Sequence, residues 1–149
     1  MRVLKIYLDG ASSGNPGEAG YGFLIKDEKD NILAGKSGYI GRTTCNVAEY
    51  TALILALQEA RKFNPDLVEI YTDSQLIVEQ ISGRYKVNSR SLKALHQKAL
   101  SLLSDFTSFT VKRIPRSQNK EADKLATSAI KGHRKKVKGE VRDDPHKRR

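Results

Sequence analysis

Four carboxylates in this chain occupy places where an acid can do chemistry. Asp9 closes an alternating apolar run, "RVLKIYLD", and Asp73 closes a second one, "LVEIYTD". Glu49 falls in the first turn of a long helical pattern, and Asp123 in the first turns of the last one, "NKEADKLA". Each has an ordinary explanation when taken singly. Asp9-Gly10 before "ASSGNPG" is a hairpin-turn signal. Asp73 precedes a helix cap, and Glu49 and Asp123 complement helix N-terminal dipoles. Taken together they offer more. Two carboxylates about 5 Å apart repel by roughly 3 kcal/mol at an effective dielectric of about 20. Four would raise one another's pKa values unless cations shared the site. Oxygen ligands alone, with no His at a ligand-like spacing, suit Mg²⁺ or Mn²⁺. Two such ions about 4 Å apart can activate a water and stabilise the leaving oxygen of a phosphodiester.

The elements that would hold these acids are legible in outline. Residues 2–9 read as a strand, with Leu4, Ile6 and Leu8 on one face. Residues 20–26 and 31–40 read as two more, joined by the charged turn "KDEKDN". Residues 46–63 give a helix, with Tyr50, Leu53, Ile54, Leu57 and Ala60 at helical spacing. A fourth strand spans 67–73, and Ser74 can cap a short helix through about Ser82. A helix over 89–104, a strand over 106–114 and a final helix over 119–131 complete the pattern. Hairpin strands followed by strand–helix units imply an α/β fold, a mixed sheet with helices on its faces. If the first and fourth strands lie parallel and adjacent, Asp9 and Asp73 emerge at one carboxyl edge, where such sheets place ligands.

The 149 residues fit one domain. A single cysteine, Cys45, excludes an intrachain disulfide and a cysteine-based zinc cluster, and fits a reducing cytoplasm. No apolar run is long enough to span a membrane, and residues 1–25 lack the pattern of a signal peptide. The net charge of +10 favours a polyanionic partner, nucleic acid before membrane. Residues 132–149 hold eight Lys/Arg against three Asp/Glu, half of that excess. They are expected to form a basic, disordered tail behind a domain of residues 1–131. No dedicated interface is evident, so a monomer is expected.

At this point four blocks resemble one family. "YLDGASSGNPG", "RTTCNVAEYTALILAL", "EIYTDSQLIVEQI" and "IPRSQNKEADKLA" are similar, in this order, to the motif blocks of type 1 ribonuclease H, closest to its short prokaryotic forms. The resemblance runs from about Val3 to Ile130. It implies a ribonuclease H-like fold: a five-stranded mixed sheet in the order 3-2-1-4-5, with strand 2 antiparallel. It also implies a metal-dependent endonuclease cutting the RNA strand of RNA/DNA hybrids by a two-metal-ion mechanism, leaving 3′-hydroxyl and 5′-phosphate ends. Carried over by position, Asp9, Glu49, Asp73 and Asp123 become the catalytic acids and the ligands of Mg²⁺ or Mn²⁺.

The same resemblance extends to substrate contacts. Gly10, Ser12 and Asn15 lie in the family's first substrate loop, and Arg42 and Thr44 match positions that hold a DNA-strand phosphate. Asn46 and Gln75 match readers of the minor groove, where a hybrid displays its 2′-hydroxyls. For Arg42 and Thr44 a loop arginine and a helix cap remain alternatives. Three departures stand out. Cys45 replaces the first of two adjacent amides and cannot donate and accept as Asn does, which leaves duplex RNA open as a second substrate. The loop "PRSQN" lacks the His that many members carry, and Arg116 is the nearest stand-in. The segment "GRYKVNSRSLK" holds no Trp, so Arg84, Tyr85, Lys86 and Arg90 form at most a reduced grip on the DNA strand. A non-catalytic nucleic-acid-binding module of the same fold is the alternative from another class.

Overall fold

The computed structural model describes the backbone of residues 1–142 and the side chains as far as Lys136. The chain runs β1 (Val3–Ser12), β2 (Gly17–Lys26), β3 (Ile32–Thr43), α1 (Cys45–Ala60), β4 (Leu67–Thr72), α2 (Gln75–Ile81), α3 (Arg90–Leu103), β5 (Ser108–Arg113) and α4 (Lys120–Arg142). Short 3₁₀ turns at Arg61–Phe63 and Arg116–Gln118 follow α1 and precede α4. The five strands form one sheet in the order β3-β2-β1-β4-β5. β2 is antiparallel to both β1 and β3, and the β1–β4 and β4–β5 pairs are parallel. The order and direction are those the resemblance implied.

The alternation in β1 sends Leu4, Ile6 and Leu8 to one face of the sheet, where they are fully buried with Phe23, Ile25, Val68 and Ile70. Helix α1 covers that face with Tyr50, Leu53 and Leu57, and α3 packs behind it through Leu92, Ala99 and Leu103. Helix α4 covers the opposite face over β1, β2 and β3. Its approach is close: a Cβ on Gly22 would sit 2.7 Å from Ala122 O and from Ala126 N.

Two boundaries differ from the sequence reading in ways that bear on the site. β1 does not stop at Asp9. It continues to Ser12, paired with β2 through Asp9↔Gly22 and Ser12↔Ala19, and the turn lies over residues 13–16. The Asp-Gly step is therefore not a turn, because Gly10 serves a different need. A Cβ there would meet Ala48 C and Glu49 N at 2.3 Å, so the missing side chain is what lets α1 lie against β1. The charged turn is as expected: the Asp27 carboxylate accepts from Lys29 N, Asn31 N and Asn31 Nδ2 at 2.9–3.0 Å.

The second difference concerns the basic tail. α4 does not end at 131 but runs to Arg142, so residues 132–142 are helical rather than disordered. Nothing in "GHRKKVK" forbids a helix, since Lys and Arg are good formers and the next proline is Pro145. Tertiary contacts also hold it. The His133 ring stacks on Tyr39 of β3 at 3.6 Å between centroids. Arg134 donates to Glu18 Oε2 at 2.7 Å and to Ser13 Oγ at 2.8 Å. The expectation for residues 143–149 lies outside the described residues.

Candidate active site

Four elements carry the four acids to one edge of the sheet. Asp9 stands in β1 beyond the point where β1 leaves β4, since their pairing ends at Tyr7↔Tyr71. Asp73 follows the last residue of β4. Ser74 then caps α2, its side chain accepting from Ile77 N at 3.2 Å. Glu49 lies in the first turns of α1, brought against β1 by the close approach at Gly10. Asp123 lies in the first turn of α4.

Their electrostatics couple them through Asp9. Asp9 is 6% exposed, and its pKa is pushed up to about 9, first by burial. A hydrogen bond with Asp123 and the charges of Asp73, Asp123 and Glu49 add to the rise. Glu49 is pushed up to about 7 by burial and by the charge of Asp73, against a lowering hydrogen bond from Ser74. Asp9 thus feels all three of the other acids, and in its protonated form donates to Asp123. Among the described residues no group of three or more His, Cys, Asp or Glu side chains is drawn together closely enough to hold a metal ion as it stands. The donor set fits a hard divalent cation nonetheless, being all oxygen and carrying an unbalanced negative charge that such a cation would neutralise.

The residues carried over as substrate contacts fall in three groups. Around the start of α1, Asn15 Oδ1 accepts from Cys45 N at 3.1 Å, which ties the β1–β2 loop to the helix. Ser12 Oγ donates to Gly14 O and, at 3.2 Å, to Thr43 O. Thr44 is the cap of α1, accepting from Val47 N at 3.2 Å, so the capping role is realised while its hydroxyl hydrogen stays available. Arg42 and Asn46 are exposed beside them. Cys45 turns inward, its Sγ donating to Gly10 O at 3.6 Å. Burial and the charges of Glu49, Asp9 and Asp73 raise its pKa to about 11, so the thiol stays protonated.

A second group lies past β4. Gln75 Nε2 reaches Tyr85 OH at 3.5 Å, and Tyr85 is exposed with Lys86 beside it. Gln80, itself bonded by Tyr50 OH at 2.6 Å, donates to Lys86 O at 3.4 Å and so holds this segment against the core. Arg84 is not free for a substrate, because it pairs with Glu79 at 2.7 Å. The third group is Arg116 alone, exposed in the turn before α4, with Nη2 3.6 Å from Asp123 Oδ1. The expected stand-in for the missing histidine therefore reaches the acids.

One residue at this site escaped the sequence reading. Asn119 is 2% exposed, and its Nδ2 donates to Leu8 O at 2.8 Å and to Asp73 Oδ1 at 3.1 Å. Its only sequence signal is its place just before a helix, where Asn is an ordinary capping residue.

A five-stranded mixed sheet in this order, with acids gathered at the edge where β1 and β4 part, defines the ribonuclease H-like class of folds. The family described as "Reverse transcriptase-like" matches residues 7–129. Ribonuclease HI of Halobacterium salinarum is 40% identical over 83% of this chain and 62% of its own length. The N-terminal RNase H domain of Rv2228c from Mycobacterium tuberculosis, solved as a fusion with maltose-binding protein, superposes with a TM-score of 0.88. It is 38% identical over 92% of this chain and 99% of that one. LC11-RNase H1, isolated from compost by a metagenomic approach and solved in complex with an RNA/DNA hybrid, superposes with a TM-score of 0.83. It is 43% identical over 87% of this chain and 98% of that one. The chain belongs to the type 1 ribonuclease H family. It spans 62% of the length of the Halobacterium protein and 36% of the full mycobacterial bifunctional protein.

Proposed function

We propose that this chain is a divalent-metal-dependent endonuclease that hydrolyses the RNA strand of RNA/DNA hybrids, leaving 3′-hydroxyl and 5′-phosphate ends. The observation that carries the reading is the gathering of Asp9, Glu49, Asp73 and Asp123 from four elements into one interacting group, with Asp9 and Glu49 buried and Asp73 and Asp123 partly exposed. Unpaired buried acids are costly to keep together, and a role in holding Mg²⁺ or Mn²⁺ supplies the reason. When bound, such cations supply an acidified water for attack and positive charge at the leaving oxygen.

The chain's own residues supply binding and orientation. Asn15, Asn46 and Gln75, with the backbone around Gly10 and Ser12, face the groove in which a hybrid shows its 2′-hydroxyls. Arg42, the Thr44 hydroxyl, Tyr85 and Lys86 flank it to hold backbone phosphates. Arg116 brings positive charge beside Asp123, where a scissile phosphate meets the acids. The single cysteine fits a chain working as a monomer in a reducing cytoplasm.

Cys45 favours a broader substrate range as a second reading. Its side chain bonds back to Gly10 O and offers no amide to the groove, which weakens discrimination against duplex RNA. Cleavage of end-labelled hybrid, duplex RNA and duplex DNA of one sequence, in Mg²⁺ and in Mn²⁺, tests both readings. The proposal expects cutting of the RNA strand of the hybrid. Measurable cutting of duplex RNA that falls in Cys45→Asn supports the broader range. Tight binding without cutting in either metal would make the chain a binding module instead.

A further inference from the structure

Asn119 joins three of the four acid-bearing elements. It stands at the start of α4, where its own carbonyl accepts from Asp123 N at 3.1 Å. Its amide reaches β1 at Leu8 O, the residue before Asp9, and the Asp73 carboxylate after β4. The orientation of that amide is forced. Leu8 O and the Asp73 carboxylate are both acceptors, so the NH₂ group must face them. The place it fills is also specific. Pairing between β1 and β4 ends at Tyr7↔Tyr71, whereas β1 stays paired with β2 as far as Ser12. The two parallel strands therefore part just before the acids, and the Asn119 side chain closes the wedge. Its Oδ1 has no donor within reach among the described residues. A buried acceptor left without a donor is disfavoured, so stability alone does not explain an amide here.

We infer that Asn119 is a positioning residue for the proposed hydrolysis: its amide fixes the Asp73 carboxylate and the spacing of β1 from α4, and so the separation of Asp9, Asp73 and Asp123. This inference rests on the nuclease reading above. Side chains that orient metal ligands cost about 10–100-fold in activity or metal affinity when removed.

The test compares Asn119→Ala with the unchanged protein and with Leu103→Ala, a core truncation on α3 away from the acids. Steady-state cleavage of a hybrid is measured beside Mn²⁺ affinity, read without substrate by water-proton relaxation. Asn119→Ala is expected to lower kcat about 10–100-fold, with KM within about twofold, and to weaken Mn²⁺ binding by about tenfold. Leu103→Ala loses melting temperature but keeps kcat and Mn²⁺ affinity. Should Asn119→Ala fold poorly, Asn119→Ser, which keeps one donor, carries the same comparison with a smaller loss. Activity and Mn²⁺ affinity that match the unchanged protein, or that fall no further than in Leu103→Ala, overturn the inference. If the unchanged protein cuts nothing, the nuclease reading fails, and the Mn²⁺ titration still decides on Asn119: weakened binding upholds its positioning role and unaltered binding removes it.

Discussion

Asp9 carries the residue-scale consequences. Its pKa in the cation-free protein is about 9, against an ordinary carboxyl value of 3.8, and Glu49 is raised to about 7. The folded state therefore binds protons that the unfolded chain has released. Stability from these groups is full below about pH 4 and is lost as pH rises through the folded values. In chelator, the melting temperature should fall progressively between about pH 5 and pH 9. Added Mn²⁺ should raise it more at the alkaline end, and Asp9→Asn should flatten the fall. A melting temperature in chelator that rises steadily over this range would contradict the assigned burial and repulsion. At this scale the acids were legible in the sequence because each ends or begins an element inside a recognisable block. Asn119 was not, because its acceptor on β1 is 111 positions away. No local pattern reports a contact made only when α4 folds back over the sheet.

At the scale of elements, the site depends on how closely α1 and α4 approach the strands. Gly10 is the point of contact for α1, and no side chain fits between it and the backbone of Ala48 and Glu49. Gly10→Ala should push the start of α1 away, and Glu49 with it. A misplacement of about 1 Å at a reacting centre costs on the order of 100-fold in rate. The variant should retain its helix content by circular dichroism while kcat falls by roughly that factor. Unchanged kcat would show that Glu49 does not depend on this contact. The same glycine explains a misreading of the sequence. Asp-Gly is a strong turn signal, but here the glycine answers to helix packing and the strand continues through it. Strand order and direction, by contrast, came with the resemblance carried by the four blocks, while the hairpin and strand–helix units alone implied only a mixed sheet. The end of α4 was hidden for another reason. A run of basic residues reads as solvated tail, and only the stacking of His133 on Tyr39 and the Arg134 pair with Glu18 show what anchors it.

The whole molecule sets an acidic site within a chain of net charge +10. That arrangement draws polyanions toward acids that would otherwise repel them. Half the excess charge lies in residues 132–149, and α4 carries the first part of that segment past the β1–β2 loop, where Arg134 bonds Ser13. Truncation after Lys131 should raise KM. It should also flatten the salt dependence of binding by about 0.9 in log–log slope for each phosphate contact removed. A raised KM with an unchanged slope would mean that the segment braces the Asn15 loop and does not hold the substrate backbone.

The central claim is that the four acids act as one metal-dependent site. The most direct measurement is single-turnover cleavage of a labelled hybrid in Mg²⁺ and in chelator by Asp9→Asn, Glu49→Gln, Asp73→Asn, Asp123→Asn and one double variant. Hybrid binding is measured beside it. Groups that work as a unit are strongly non-additive. The account predicts no cutting in chelator and losses of at least about 100-fold in each single variant. It also predicts a double variant little worse than the singles, with hybrid binding retained throughout. Cutting that persists in chelator, or two single variants that keep their rates, would contradict it.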